Sequence, residues 1–228
     1  MLSDPVDYAR GQNPADHRWL SLLSTLTEGR RLFDVGCGSG AFVEAASAAG
    51  WQATGFDSDR RLIGLAGHLG DKVEALDAQH WNPVDDSYDV VRLWFVLEHV
   101  QFPGRLLRRA IGALRSKGLL QLAVPNDAGW LSRRVMTSPD DRFWEHPLHL
   151  HHFAPFGLER WLETQGCEAE VAEAGRPTEL MRGGSLPLDE TWEAVRRTDP
   201  SLSRLFYQLG VGRSREMIWR KTGTQGAW

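Results

Sequence analysis

The sequence predicts an α/β fold, with a single doubly wound and mostly parallel sheet of about seven strands. Two observations support this prediction. Short apolar segments alternate with segments whose apolar residues recur at helical spacing, and glycine residues end several of the helical segments. The 228 residues are enough for one domain with additions.

Strands are predicted where short apolar segments are bounded by glycine, proline or aspartate, because these residues favour turns. The strands cover residues 31–35, 52–56, 72–76, 88–95, 119–124, 167–174 and 215–221. Helices are predicted where apolar residues lie three and four positions apart. The helices cover residues 41–49, 59–69, 104–116 and 155–165, and an inserted helical stretch interrupted by Pro200 covers 188–210.

The composition excludes several classes of protein. A net charge of −4 and a pI of about 6.1 give no overall positive field, so no nucleic-acid partner is expected. No segment reaches the roughly 20 apolar residues of a membrane span, and residues 1–18 lack the apolar region of a secretory signal. Cys37 and Cys167, far apart in the chain, do not make a disulfide framework. We therefore expect a cytoplasmic protein.

The most informative segment is residues 34–40, Asp-Val-Gly-Cys-Gly-Ser-Gly, which joins a predicted buried strand to a predicted helix. Such a turn needs glycine for positive φ angles and for close approach of the backbone to a ligand. The amides at the start of the helix favour negatively charged groups. Asp57 ends the second strand about 20 residues after Gly36, where a carboxylate reaches the hydroxyls of a ribose. The segment therefore predicts a ligand that contains a nucleoside.

Two classes of ligand fit this segment. The spacing of Gly36, Gly38 and Ala41 matches the dinucleotide fingerprint, which would indicate an NAD-dependent oxidoreductase. Asp34 argues against that alternative, since a carboxylate two residues before the first glycine suits a positively charged ligand better than a pyrophosphate. The sequence also has no tyrosine followed four residues later by lysine. Helix capping or turn formation is the alternative role for Asp34 and Asp57.

These motifs resemble those of the class I S-adenosylmethionine-dependent methyltransferases, and the resemblance covers most of the chain. Residues 32–41 are similar to the first motif of the family, and residues 55–57 are similar to the acidic end of its second strand. Residues 88–91 and 97–100 are similar to its fourth strand and the segment after that strand. Residues 118–126 and 149–153 resemble a branch that includes ubiquinone-biosynthesis-type and sugar O-methyltransferases. The resemblance implies a Rossmann-like sheet that ends in a reversed hairpin.

The resemblance also implies which residues contact the cofactor, S-adenosylmethionine. The glycines would line its methionine part, Asp57 its ribose and Asp77 its adenine amine. The implied set is Asp34, Gly36, Cys37, Gly38, Gly40, Asp57, Ser58, Asp77, Ala78, Leu93, Trp94 and Phe95. The implied organisation is an N-terminal helical cap over 1–30, a cofactor-binding core over 31–126, and an acceptor lid with the last two strands over 127–228.

The acceptor is expected to be a small molecule that is methylated on a hydroxyl. Residues 124–127 read Val-Pro-Asn-Asp and lack the Asn/Asp-Pro-Pro-aromatic signature of methylation at exocyclic or amide nitrogens. A base assists a hydroxyl acceptor, and His149 and His151 are the candidates, with a structural role at the sheet edge as the alternative. No metal is expected, because the histidines of 146–152 lack partners at a recognised ligand spacing. A monomer or homodimer is expected, and a non-catalytic protein that binds the cofactor is the remaining alternative.

Overall fold

The computed structural model describes residues 14–126, 149–153, 156–175, 198–208 and 214–222. The strands in this part of the chain are β1 (Arg31–Val35), β2 (Gln52–Asp57), β3 (Val73–Ala75), β4 (Tyr88–Trp94), β5 (Leu114–Pro125), β6 (Cys167–Ala174) and β7 (Ser214–Lys221). The helices are α1 (Pro14–Leu26), α2 (Ala41–Ala48), α3 (Arg60–Leu65), α4 (Pro103–Ala113), α5 (Gly157–Thr164) and α6 (Pro200–Gln208), and a short 3₁₀ helix covers Gly67–Lys72.

The seven strands form one sheet in the order β3-β2-β1-β4-β5-β7-β6. β1 pairs in parallel with both β2 and β4, and β2 pairs in parallel with β3. β6 and β7 pair antiparallel. The predicted doubly wound, mostly parallel sheet with a reversed C-terminal pair is therefore confirmed.

The chain divides into two compact units. The first comprises Met1–Trp94 and Gly104–Leu120, and the second comprises Phe95–Pro103 and Gln121–Trp228. Each unit contains some of the candidate site residues predicted from the sequence. The glycines and their neighbouring carboxylates belong to the first unit, and His149 and His151 belong to the second.

In the first unit, β1 is buried on both faces, as is usual for a strand inside a parallel sheet. On one face, Phe33 stacks on Trp81 with ring centroids 5.1 Å apart and also contacts Phe56 and Tyr88. Successive side chains of a strand point to opposite faces, so Asp34 points to the other face, where it is fully buried. The aromatic packing thus fixes the strand that leads into the glycines.

Helix α4 ends at Ala113, three residues earlier than the apolar period predicts, and β5 begins directly after it. The cause is a competing set of hydrogen bonds. The amides of Asp86 and Ser87 donate to the carbonyl oxygens of Gly112 and Ala113 at 3.1 and 2.8 Å, which satisfies these C-terminal carbonyl groups from outside the helix. Leu114 is fully buried, but it is a strand residue and not a helical one.

Helix α3 is also shorter than predicted, and it ends at Leu65. Asp59 caps the start of this helix, because its side chain accepts a hydrogen bond from the Arg61 amide at 2.8 Å. The residues after it form the 3₁₀ helix, which contains Gly70 at a φ of 56°. The apolar spacing of 62–69 therefore spans two short helices.

The second unit pairs β6 and β7 from Cys167 opposite Lys221 to Ala174 opposite Arg215. A buried ionic group joins α5 and α6 to this pair. Glu159 accepts a hydrogen bond from the Tyr207 hydroxyl and forms an ion pair with Arg215. The Arg215 guanidinium lies 4.6 Å from the Tyr207 ring centroid and 5.0 Å from that of Phe156. These contacts hold both helices on the antiparallel strands.

Several predicted features lie partly outside the described residues, including residues 1–13 of the predicted N-terminal cap. Of the predicted acceptor-lid region, residues 127–148 are outside them, and so are residues 188–197 and 209–210 of the inserted stretch. Within that stretch Pro200 is the first residue of α6, a position where proline is favoured because its missing N–H has no helical partner there. No helix among the described residues has both the length and the apolar character to cross a membrane.

Candidate active site

The glycine loop, residues 36–40, turns from β1 into α2. Gly36, Gly38 and Gly40 have φ angles of 72°, 58° and 76°, which confirms the predicted need for glycine there. The Cys37 amide donates to the carbonyl oxygen of Phe56 at 2.8 Å, so the loop is held against the end of β2. A Cβ atom at Gly38 would meet no heavy atom of the described residues within 4 Å. The loop backbone is therefore open to a ligand at Gly38.

Asp57 lies beside the glycine loop at the end of β2. Its Oδ2 accepts a hydrogen bond from the Gly38 amide at 2.9 Å, and its Oδ1 accepts one from the Asp59 amide at 2.8 Å. The Asp57 residue is half-buried, and Ser58 next to it is exposed. Parallel strands bring their carboxyl ends to the same edge of a sheet, which is why residues far apart in the chain meet here.

Asp34 has a partner inside the protein. Its two carboxylate oxygens lie 3.1 and 3.2 Å from Nη1 of Arg92, the residue directly beside it on β4. Asp34 is 0% exposed and Arg92 is 6% exposed. The sequence predicts that Asp34 offsets the positive charge of a ligand, but the structure pairs it with a guanidinium, because a buried charge is costly unless it is matched.

Cys37 is buried within the glycine loop. Burial raises the pKa of the Cys37 thiol far above its usual range, and the carboxylates of Asp34 and Asp57 raise this pKa further. The thiol therefore stays protonated, and a protonated thiol is a poor nucleophile. Cys37 is a packing residue of the loop.

The other residues implied by the resemblance differ in how accessible they are. Asp77 is exposed and accepts a hydrogen bond from the Gln79 amide at 2.8 Å, and Ala78 is half-buried. Leu93 is fully buried and has no surface for a ligand, whereas Trp94 and Phe95 are half-buried. Phe95 has a φ of 55°, an uncommon backbone conformation for a residue with a side chain.

In the second unit, Glu98, His99 and His149 form a cluster. One ligand atom from each residue lies within 4.8 Å of those of the other two. The ring centroids of His99 and His149 are 4.9 Å apart. Glu98 is 1% exposed, and its carbonyl oxygen accepts a hydrogen bond from the Leu150 amide at 2.7 Å. This backbone contact brings His149 to a carboxylate that is about 50 residues earlier in the chain.

His151 has a different position from His149. Its Nε2 lies 3.3 Å from the carbonyl oxygen of Gln101, and its amide donates to the carbonyl oxygen of Glu98 at 3.2 Å. The structure thus separates the two histidines that the sequence leaves as alternatives. His149 lies beside a buried carboxylate, and the ring of His151 lies beside a main-chain carbonyl group.

Two histidines and one carboxylate are also a ligand set that a divalent transition metal can take. The sequence predicts no metal because the spacing of the histidines matches no recognised motif. Spacing along the chain does not reveal Glu98 as a third ligand, since Glu98 and His149 meet only through the fold. Of the residues that the structure describes, Glu98, His99 and His149 are those able to hold an ion together.

Comparison with known proteins identifies the family. A family model described as "Methyltransferase domain" matches residues 8–171. The chain belongs to the class I S-adenosylmethionine-dependent methyltransferases. The family match removes the NAD-dependent oxidoreductase as an alternative, and S-adenosylmethionine is the cofactor.

Two curated relatives match about three quarters of this chain. One is the ubiquinone biosynthesis O-methyltransferase of Bordetella avium, 27% identical over 184 residues, which cover 75% of this chain and 72% of the relative. Another is the enzyme of the same name from Bordetella bronchiseptica, 32% identical with the same coverage. A solved structure of a SAM-dependent methyltransferase from Archaeoglobus fulgidus has a TM-score of 0.67 at 20% identity, and covers 92% of this chain and 95% of that one. This last likeness supports the fold alone.

Sequence reasoning missed two charged residues of the methyltransferase, Arg92 and Glu98. The signal for Arg92 was present, because a single arginine within the apolar strand 88–94 must find a partner when the strand is buried. Glu98 gave a similar signal, since it follows the apolar residues Val96 and Leu97. The identity of each partner could not be found without the strand order and the path of the chain.

Proposed function

We propose that this methyltransferase transfers a methyl group to a hydroxyl oxygen of a small molecule, with His149 as the general base. The observation that carries the proposal is the cluster of Glu98, His99 and His149. The names of the relatives, which are O-methyltransferases, support oxygen as the acceptor atom.

The residues at the glycine loop fit the cofactor. When bound, S-adenosylmethionine supplies an electrophilic methyl group on a sulfonium. The open backbone at Gly38 and the partly exposed carboxylate of Asp57 suit a nucleoside with hydroxyl groups. In the proposal the loop binds the methionine part, Asp57 the ribose, and Asp77 with Ala78 the adenine. Trp94 and Phe95 supply the apolar wall, without Leu93.

The cluster fits the task of a base. A neutral imidazole accepts a proton near neutral pH, and a neighbouring carboxylate stabilises the imidazolium that results. Glu98 and His99 follow Trp94, the last residue of β4, by four and five residues, and ligands of open parallel sheets bind beyond the carboxyl ends of the strands. In the proposal His149 takes the hydroxyl proton as the methyl group arrives, and Glu98 positions the ring.

The test compares His149→Ala with His151→Ala as the matched control, in a methyl-transfer assay over a panel of phenols, catechols and sugars. We expect His149→Ala to lower kcat about 10²- to 10⁴-fold, the range typical of a lost general base, and to remove the acidic limb of the pH–rate profile. His151→Ala should lower kcat only a few-fold. Equal activity of His149→Ala and the wild type would refute the role of His149.

A chelator separates the two uses that the cluster allows. If His149 is a base, dialysis against EDTA leaves kcat unchanged. A loss of activity that Mg²⁺, Mn²⁺ or Zn²⁺ restores would instead assign Glu98, His99 and His149 as metal ligands. In that case the role of His149 as a base would be wrong, while the assignment of a methyltransferase would stand.

A further inference from the structure

We infer that Phe95 is a specificity-determining residue, whose ring contacts the acceptor beside His149 and selects acceptors with an apolar face next to the hydroxyl. The inference rests on the proposed function, in which the acceptor hydroxyl meets His149. There Phe95 is part of the apolar wall for the cofactor. The inference extends this wall to the acceptor.

The backbone of Phe95 is left-handed, with a φ of 55°. This conformation costs free energy for a residue with a Cβ atom, whereas glycine adopts it readily. Residues held in such conformations cluster at functional sites, where the surrounding structure enforces them. Phe156 shows the same combination, since it has a φ of 61° and its ring lies 5.0 Å from the Arg215 guanidinium. A ring kept at position 95 therefore indicates a role that glycine could not fill.

The left-handed residue is where the chain leaves β4 and turns toward the base cluster. The Phe95 amide donates to the carbonyl oxygen of Ala123 on β5 at 3.0 Å. A turn follows directly, in which the His99 amide donates to the carbonyl oxygen of Val96 at 3.0 Å. This turn contains Glu98 and His99, two members of the cluster. The backbone of Phe95 thus sets the start of the segment that supplies them.

The side chain of Phe95 differs in accessibility from those that follow it. Val96 and Leu97 are buried, so they anchor the start of the turn in the interior. Phe95 is half-buried, which leaves part of this residue accessible. A partly accessible aromatic side chain has area left to bury against a ligand. Packing of the turn is supplied by Val96 and Leu97, and the ring of Phe95 remains for recognition.

The position of this ring favours acceptors with an apolar face. Phe95 directly follows β4, and ligands of open parallel sheets bind beyond the carboxyl ends of the strands. It also lies three residues before Glu98, the buried carboxylate beside His149. An aromatic ring packs on flat apolar groups and excludes water from the site. Phenols and catechols carry such a group next to the hydroxyl, whereas the hydroxyls of sugars are surrounded by further polar groups.

The experiment compares three substitutions of Phe95 in the methyl-transfer assay over phenols, catechols and sugars. Phe95→Gly and Phe95→Ala both remove the ring, so both should lower kcat/KM for phenols and catechols about tenfold or more, mainly through a higher KM. For sugars the loss should be only a few-fold. Phe95→Tyr keeps the ring and should retain the activity and the acceptor preference of the wild type.

The same variants test the left-handed backbone. Phe95→Gly should melt about 2–8 °C above Phe95→Ala, because alanine bears a cost at positive φ that glycine does not. Calorimetry should show that Kd for S-adenosylmethionine rises less in both variants than KM for the phenols. Phe102→Ala is the matched control, since Phe102 is an exposed ring on the same segment. It should change neither the acceptor preference nor Tm.

Three results would overturn the inference. The first is a wild-type kcat/KM for phenols and catechols in Phe95→Gly. The second is an equal loss of cofactor and acceptor affinity, which would limit the ring to the cofactor wall. The third is a wild type that prefers sugars. If neither small variant folds, Phe95→Leu decides, because it keeps apolar volume without a ring, and an unchanged preference for catechols would refute the role of Phe95.

The proposed function fails in a different way. Full activity of His149→Ala, together with a lost preference for phenols in Phe95→Gly, would refute the base and support the acceptor contact. A reduced kcat in His149→Ala, together with wild-type kcat/KM in Phe95→Gly, would support the base and refute the contact. A wild type that methylates no member of the panel would overturn both.

Discussion

The substitution of Gly55 by alanine tests how closely β2 supports the glycine loop. Gly55 lies opposite Asp34 in the pairing of β1 and β2. A Cβ atom there would lie 2.5 Å from the carbonyl oxygen of Asp34, 3.0 Å from Cβ of Cys37 and 3.2 Å from Cβ of Asp34. The first of these atoms is main chain, so the added methyl group can be accommodated only if β1 or β2 moves.

The expected cost is that of overpacking an interior, about 1–3 kcal/mol or more. For a chain of this length, each kcal/mol lowers Tm by roughly 2–4 °C, so Gly55→Ala should melt about 2–12 °C below the wild type. The displaced residues are those that precede and form the glycine loop, so the affinity for S-adenosylmethionine should also fall, by several-fold. Thermal unfolding followed by circular dichroism and calorimetric titration with the cofactor measure the two effects.

Gly64→Ala is the matched control, because it is the same substitution on α3. A Cβ atom at Gly64 would meet nothing within 4 Å among the described residues. Alanine in a helix is favoured over glycine by about 0.5–1 kcal/mol, so Gly64→Ala should raise Tm slightly and leave cofactor affinity unchanged. A Gly55→Ala variant with the Tm and Kd of the wild type would refute the close packing of β2 against the loop.

Three further predictions follow from individual side chains. Asp57→Asn should weaken cofactor binding about 10- to 100-fold, the usual value of a hydrogen bond to a charged group, and an effect under twofold would contradict the role of Asp57. It should also lower Tm, because an NH2 group replaces one of the two oxygens that accept hydrogen bonds from the Gly38 and Asp59 amides. Tyr207→Phe should lower the free energy of unfolding by about 1–3 kcal/mol in urea titration, because Glu159 loses a buried donor; an unchanged midpoint would show that Arg215 satisfies Glu159 alone. Burial raises the pKa of Cys167 from 9.0 to about 11, so the unfolded chain ionises this thiol first, and stability should fall as pH rises from about 9 to 11. Cys167→Ala should reduce this loss of stability between about pH 9 and 11. The same pH dependence of stability in the variant and the wild type would refute the role of Cys167.

The sequence predicts local features of this fold well and long-range pairings poorly. β1 and β6 begin and end where predicted, because a glycine lies close to each end of both segments. The predicted end of α4 is wrong, because the observed end depends on hydrogen bonds from the amides of Asp86 and Ser87, about 26 residues earlier in the chain. No local pattern carries that information.

The same division applies to the candidate site. The glycine loop and Asp57 are recognisable because a turn with positive φ and a carboxylate at the end of the next strand follow from one βαβ unit. Predicting the pair of Asp34 and Arg92 requires the strand order, in which β4 lies between β1 and β5. Predicting the cluster of Glu98 with His149 requires the position of residues 149–153, which form neither helix nor strand. Sequence reasoning therefore finds the cofactor loop, but it does not find the charged partners that distant parts of the chain supply.

The ion pair also changes how Asp34 should be tested. Alanine at position 34 would remove the partner of Arg92 and leave a guanidinium that is 6% exposed without its carboxylate, and breaking a buried pair in this way typically destabilises a protein by 3–5 kcal/mol. Loss of cofactor binding in Asp34→Ala would then follow from a disturbed loop whether or not Asp34 acts on the ligand. Removing both charges together avoids this penalty, because a neutral pair of similar volume can fill the same interior. Only the comparison of single and double variants can separate the charge of Asp34 from its place in the structure.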